Sequence, residues 1–135
     1  MSTTITTSND VLRARSKQET LTTTQDISVN DSGTEFNIAT DAKVMTLPAI
    51  TAQNIGMEFT FRNTGADGNN IITISPAATD AIHGAVAAVN SGGVDDKDWI
   101  NTKATANKGD WCTLKAVALT DWYLTGGDGV WASES

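Results

Sequence analysis

Six residues, Met57 to Arg62, set the strongest constraint on the fold. Met57, Phe59 and Phe61 alternate with Glu58, Thr60 and Arg62. A period of two puts the apolar trio on one face of an extended chain and the polar trio on the other, as in a half-buried strand. The run Asn63-Thr-Gly-Ala-Asp-Gly-Asn-Asn70 follows, where Gly65 and Gly68 tolerate positive φ and Asn and Asp form turns. Ile71-Ile-Thr-Ile74 then resumes a β-branched stretch. Strand, turn and strand predict a hairpin with a long tip.

The same grammar runs on both sides. Ile27 and Val29 alternate with Asp26 and Ser28, Asn30-Asp-Ser-Gly33 is a turn, and Phe36 and Ile38 alternate with Glu35 and Asn37. Val44-Met-Thr-Leu47 is a short strand that Pro48 ends, because proline has no N–H for a ladder. Ala77 to Asn90 predicts a strand near Ala81–His83 and then an irregular loop. Trp111 to Val117 places Cys112, Leu114 and Ala116 on one face and Trp111, Thr113 and Lys115 on the other. Trp122-Tyr-Leu-Thr125 and Val130-Trp131 are closing strands. Short strands between Gly- and Asn-rich turns, with no long helical pattern after residue 25, predict an all-β fold, a compact antiparallel β-sandwich or barrel-like domain over residues 26–135.

Residues 1–25 differ in character, being Ser/Thr-rich and free of aromatic side chains. They read as an extended N-terminal arm, either a disordered tail or a segment that orders against a neighbouring subunit. Ser8 or Asp10 is suited to cap a short helix over Val11–Glu19. The arm carries a balance of +1 and residues 26–135 a balance of −8. With a net charge of −7 the chain lacks the clustered Lys and Arg that phosphate contacts need, so nucleic acid is not expected as a partner. No apolar run approaches the roughly 18 residues of a membrane span, and no membrane partner is expected. The start, MSTTITTSND, lacks the basic and apolar regions of a signal peptide, which predicts synthesis in a cytosol.

Chemistry-bearing residues are sparse. The single Cys112 reads as a small buried apolar residue, and the single His83 as a structural histidine; a Cys112–His83 pair is the catalytic alternative. Asp95, Asp96 and Asp98 have the charge to gather a hard cation, but their spacing departs from the calcium loop of an EF-hand. No cofactor and no catalytic constellation are expected. Trp99, Trp111, Trp122 and Trp131 all fall in the last third. They read as core packing near the closing strands, or as an interface or sugar platform. Trp111 is the outward candidate, because it lies opposite Cys112, Leu114 and Ala116.

The ordered series Thr46-Leu-Pro-Ala, Gly56-Met-Glu-Phe-Thr-Phe-Arg-Asn-Thr-Gly65, Ile72-Thr-Ile-Ser-Pro76, Asp80-Ala-Ile-His-Gly84, Asp96 to Ala106, Lys108-Gly-Asp-Trp111 and Trp122-Tyr-Leu resembles small β-rich structural proteins of tailed bacteriophages. It looks most like head decoration, or cement, proteins, and related modules occur in tail fibres. The resemblance covers about residues 45–131. It implies a non-enzymatic virion protein that binds the capsid exterior as a homotrimer and bridges major capsid subunits. The alternative it leaves is a tail-fibre or tailspike module that binds host glycan. On the first reading, the arm residues Val11, Leu12, Arg13, Arg15, Lys17 and Leu21, together with Trp111, are the candidate partner-facing residues. An arm that orders on binding loses about 1–2 kcal/mol of backbone entropy per fixed residue, which contacts must offset.

Overall fold

A computed structural model describes residues 16–135. Its strands are β1 (Lys17–Leu21), β2 (Gln25–Asp26), β3 (Thr34–Ile38), β4 (Lys43–Thr46), β5 (Glu58–Asn63), β6 (Ile72–Ser75), β7 (Ala81–His83), β8 (Ala85–Val86), β9 (Val89–Asn90), β10 (Trp99–Asn101), β11 (Trp111–Ala118), β12 (Asp121–Asp128) and β13 (Trp131–Ser133). Single 3₁₀ turns cover Val29–Asp31 and Lys103–Thr105. A six-stranded sheet runs β1-β3-β5-β11-β12-β7, a five-stranded sheet runs β13-β10-β6-β4-β2, and β8 and β9 form a small ribbon. The protein is an all-β sandwich, as the strand periodicity predicts.

The strand directions differ from the antiparallel expectation. From β1 to β6 the chain changes sheet at every step, so strands two apart in sequence lie side by side and run the same way. Parallel neighbours need a crossover, ordinarily a helix. Here the crossover is a strand of the facing sheet. The expected hairpin over residues 57–74 is one of these crossings: β5 belongs to the six-stranded sheet and β6 to the five-stranded one. Antiparallel pairing enters with the β8–β9 ribbon and with β10 to β13, while β7 joins β12 in parallel. β11 runs against both β5 and β12, and β10 against both β6 and β13.

The core lies between the sheets. Inward residues of β3 and β5 are Phe36, Ile38, Phe59 and Phe61, and those of β11 are Cys112, Leu114 and Ala116. Phe36 stacks on Phe61 at 5.5 Å between ring centroids, and Phe59 meets Trp122 at 6.0 Å. Across the sandwich, Trp99 and Trp131 stack at 6.1 Å with ring planes 2° apart. Three of the four tryptophans therefore belong to the core. Full burial of such side chains contributes about 1.5–3 kcal/mol each.

Two expectations for residues 1–25 are corrected. Lys17–Glu19, expected at the end of a helix, are extended and lie in β1, paired in parallel with β3. Leu21 is 2 % exposed and packs in the core, so this part of the expected arm belongs to the sandwich. Ile27 is buried as its alternation requires, but Val29 lies in a 3₁₀ turn and faces out.

Candidate interaction surface

One end of the six-stranded sheet gathers the starts of β1, β3, β5, β7 and β12 and the end of β11. The connections over this end and the bulged end of β11 carry Val29, Ile55, Val117 and Leu119, which are 40 %, 43 %, 48 % and 56 % exposed. Single exposed apolar residues are ordinary; here four stand at one end of the same sheet, which makes this end the candidate surface.

Local hydrogen bonding explains why these side chains point out. In the loop before β5, Thr51 N donates to Asn54 Oδ1 at 2.8 Å and Asn54 Nδ2 to Ala49 O at 2.9 Å. Gly56 N donates to Ala116 O at 2.8 Å. Ile55 is held between these two anchors. Val117 is the extra residue of a β-bulge, since Ala116 pairs with Trp122 and Ala118 with Asp121. A bulge re-aims the side chain it carries. Leu119 begins the turn into β12, whose second residue, Thr120, has φ 68° and accepts from Ala81 N at 2.8 Å. The Val29 turn is tied down by Glu58 N donating to Ser32 Oγ at 3.0 Å and Gly33 N to Glu58 O at 2.7 Å. The apolar tips are presented by pinned backbone, which limits the ordering entropy that a partner must offset.

The outer face of the same sheet is polar. Arg62 pairs with Glu35 at 3.3 Å, donates to Gly109 O at 3.1 Å, and lies over the Trp111 ring 5.7 Å from its centroid. Asn37 Nδ2 donates to Gln18 Oε1 at 2.9 Å, and the hydroxyls of Thr60 and Thr113 share a 2.7 Å bond. His83 Nε2 lies 2.9 Å from Asp121 Oδ1, with the His83 ring 5.4 Å from that of Tyr123.

The sequence-derived candidates fare differently. Val11, Leu12, Arg13 and Arg15 lie outside the described residues. Lys17 is exposed at the apolar end and pairs with Asp31 at 3.4 Å. Leu21 is removed from the partner-facing set, because it is in the core. Trp111 faces outward but is half-buried, with its ring edge over Gly126, where a Cβ would approach it to 3.2 Å. Sequence reading missed Val29, Ile55, Val117 and Leu119. The available signal was Val117 and Leu119, apolar residues at positions where the alternation of β11 points outward.

Cys112 and His83 lie on opposite faces of the sheet, Cys112 inward and His83 beside outward Tyr123, so the catalytic pair is not assembled. Burial pushes the Cys112 thiol far above its ordinary range. Asp95, Asp96 and Asp98 do not assemble a metal site: among the described residues no three His, Cys, Asp or Glu side chains gather to hold an ion. Asp98 N donates instead to Glu134 Oε2 at 3.1 Å, and Asp96 N to Asp80 O at 3.0 Å. Desolvation raises the Asp98 carboxyl above the usual range; nearby Glu134 and Asp96 add to this, while a hydrogen bond from Ser75 opposes it.

No protein-family model matches the chain, and no curated protein matches it.

Proposed function

We propose that this chain is a non-enzymatic structural protein of a tailed-phage particle, which docks on the capsid exterior as a homotrimer and stabilises the shell by bridging major capsid subunits. The observation that supports it best is the pinned apolar end, where Val29, Ile55, Val117 and Leu119 stand exposed at one end of the six-stranded sheet. Such a surface suits another protein, since burying its apolar area releases about 25 cal/mol per Å². The resemblance over residues 45–131 supplies the identity of that partner. The excess of acidic side chains over residues 26–135 suits a body that faces solvent and stays soluble at high local copy number.

Electron microscopy of purified particles labelled with an antibody to this chain tests the reading. Density and label on the head exterior are expected, with light scattering of the isolated protein giving a trimer mass. Label confined to tails, or absent from particles, overturns it. The glycan-binding alternative has less support, because Arg62 occupies the ring face of Trp111 on which a sugar would stack.

A further inference from the structure

The sequence holds two Asp-Gly pairs, Asp67-Gly68 and Asp128-Gly129. In any such pair the glycine nitrogen is able to attack the aspartyl side chain, because no Cβ hinders its approach. The two pairs differ in how they are held. Asp67 Oδ1 accepts from Lys108 N at 2.8 Å, and Gly68 N donates to Ala106 O at 2.7 Å. Carboxylate and nitrogen are both tied to the same neighbouring loop, each engaged elsewhere. At the other pair, Gly129 N donates to the Asp128 carboxylate itself, at 2.9 Å to Oδ1. Asp128 is exposed, so water reaches the carboxyl.

We propose that Asp128 is a site of spontaneous isomerisation, at which Gly129 N closes on the Asp128 carboxyl while the equivalent reaction at Asp67 is held off by the fold. In the first step a bond forms between Gly129 N and Asp128 Cγ. The Cγ–OH bond of the protonated carboxyl breaks, and the hydroxyl leaves as water with the amide proton. The product is a five-membered succinimide ring. In the second step water adds to either ring carbonyl, reopening the ring to the original aspartyl linkage or to an isoaspartyl linkage with one more backbone carbon. No oxidant or other co-reactant is involved.

The position gives the change a structural consequence. Trp131 Nε1 donates to Asp128 O at 3.0 Å. Gly129, at φ 101°, lies so close to the Asp110 carboxylate that a Cβ there would collide with it. An added backbone carbon between 128 and 129 displaces both contacts. Asp110 also accepts from Asn101 Nδ2 at 3.1 Å and Asn107 N at 2.9 Å, so the disturbance reaches the buried polar end of the sandwich.

The test is ageing of the full chain in warm, mildly acidic buffer, followed by peptide mapping with electron-transfer fragmentation to locate isoaspartate. In the folded protein, isoaspartate at 128 is expected to exceed that at 67 several-fold. In urea the two sites should converge, since the fold no longer separates them. Asp128→Glu, at an exposed position, should keep the melting temperature and abolish the signal at 128, because closure would require a six-membered ring. The isomerised fraction, separated by ion exchange, should melt below the unmodified protein. Equal or greater isoaspartate at 67 in the folded chain, or none at 128, overturns the proposal.

Discussion

Asn63 Nδ2 donates to Asn101 Oδ1 at 2.8 Å, joining the last residue of β5 in one sheet to the last residue of β10 in the other. Both side chains are fully buried. Around this bond, Asn63 Oδ1 accepts from Gly65 N at 2.9 Å and Asn70 Nδ2 at 3.2 Å, while Asn101 Nδ2 donates to Asp110 Oδ2 and to Val130 O. The core therefore closes with a polar ladder at the end opposite the apolar loops. Replacing Asn101 with Ala leaves Asn63 and Asp110 short of partners in a buried site, which costs about 3 kcal/mol. Urea titration should show a lower midpoint with an unchanged slope. The Asn63→Ala, Asn101→Ala double variant should lose less than the two single losses added together, because the residues act as one network. A strictly additive result would dissolve the ladder as a unit.

Ala87 and Ala88 join β8 to β9 with φ of 49° and 70°. Two consecutive positive-φ residues make the turn that best matches the twist of a two-residue hairpin, but Ala is a poor occupant. Left-handed backbone costs a residue with a Cβ roughly 1–2 kcal/mol. Replacing the pair with Asn-Gly should raise the melting temperature, with a gain of about 1 kcal/mol. Calorimetry checks it, and an unchanged or lower transition would mean that the turn is not under strain.

Asp98 gives a pH signature with a definite sign. Its carboxyl is raised in the fold, chiefly by desolvation, so folding favours the protonated form. That contribution is present below the ordinary aspartate value and is lost as pH rises through the raised one. Asp98→Asn should therefore stabilise the protein at neutral pH and change little in acid. Thermal melts across that range decide, and a variant no more stable at neutral pH would contradict the assignment.

Cys112 should behave as a core residue rather than a reactive thiol. It is fully buried among Phe61, Gly127 and its own strand neighbours, and burial holds it in the neutral form. A disulfide-exchange reagent in native buffer should label it only at the rate at which the sheet opens, and at once in denaturant. Rapid native labelling would require β11 to be open to water.

For β3, β5 and β11 the buried face was legible in the sequence; which sheet each strand joins was not. Phe59 and Phe61, or Cys112 and Leu114, announce an inward face through their period of two. Both sheets bury one face in the same way, so the pattern carries no sheet label. Residues 57–74 consequently read as a hairpin, although β5 and β6 sit in facing sheets. β1 was missed for a different reason. Lys17, Gln18 and Glu19 are good helix formers, and only Leu21 enters the core, so local propensity and tertiary pairing disagree and pairing prevails. The apolar end was hidden because Val117 and Leu119 fall where the alternation points outward, and scattered exposed apolar residues are ordinary.

The apolar end yields the prediction most closely tied to function. Val117 and Leu119 are exposed on backbone that is pinned without their side chains, through Gly56 N to Ala116 O and Ala81 N to Thr120 O. Charged substitutions there should leave the fold intact, within about 0.5 kcal/mol for a surface site. The same charges buried against a shell would be desolvated without partners, at a cost of several kcal/mol. Val117→Asp with Leu119→Asp should thus melt like the parent protein yet fail to co-sediment with capsids lacking this chain, on which the proposed function expects the parent to re-bind. Arg62→Ala, on the sheet's outer face, separates the two surfaces: it should uncover Trp111 and shift its fluorescence while leaving co-sedimentation unchanged. If the Asp pair binds capsids as well as the parent, the apolar end is not the docking surface. If Arg62→Ala abolishes binding instead, the outer face takes its place.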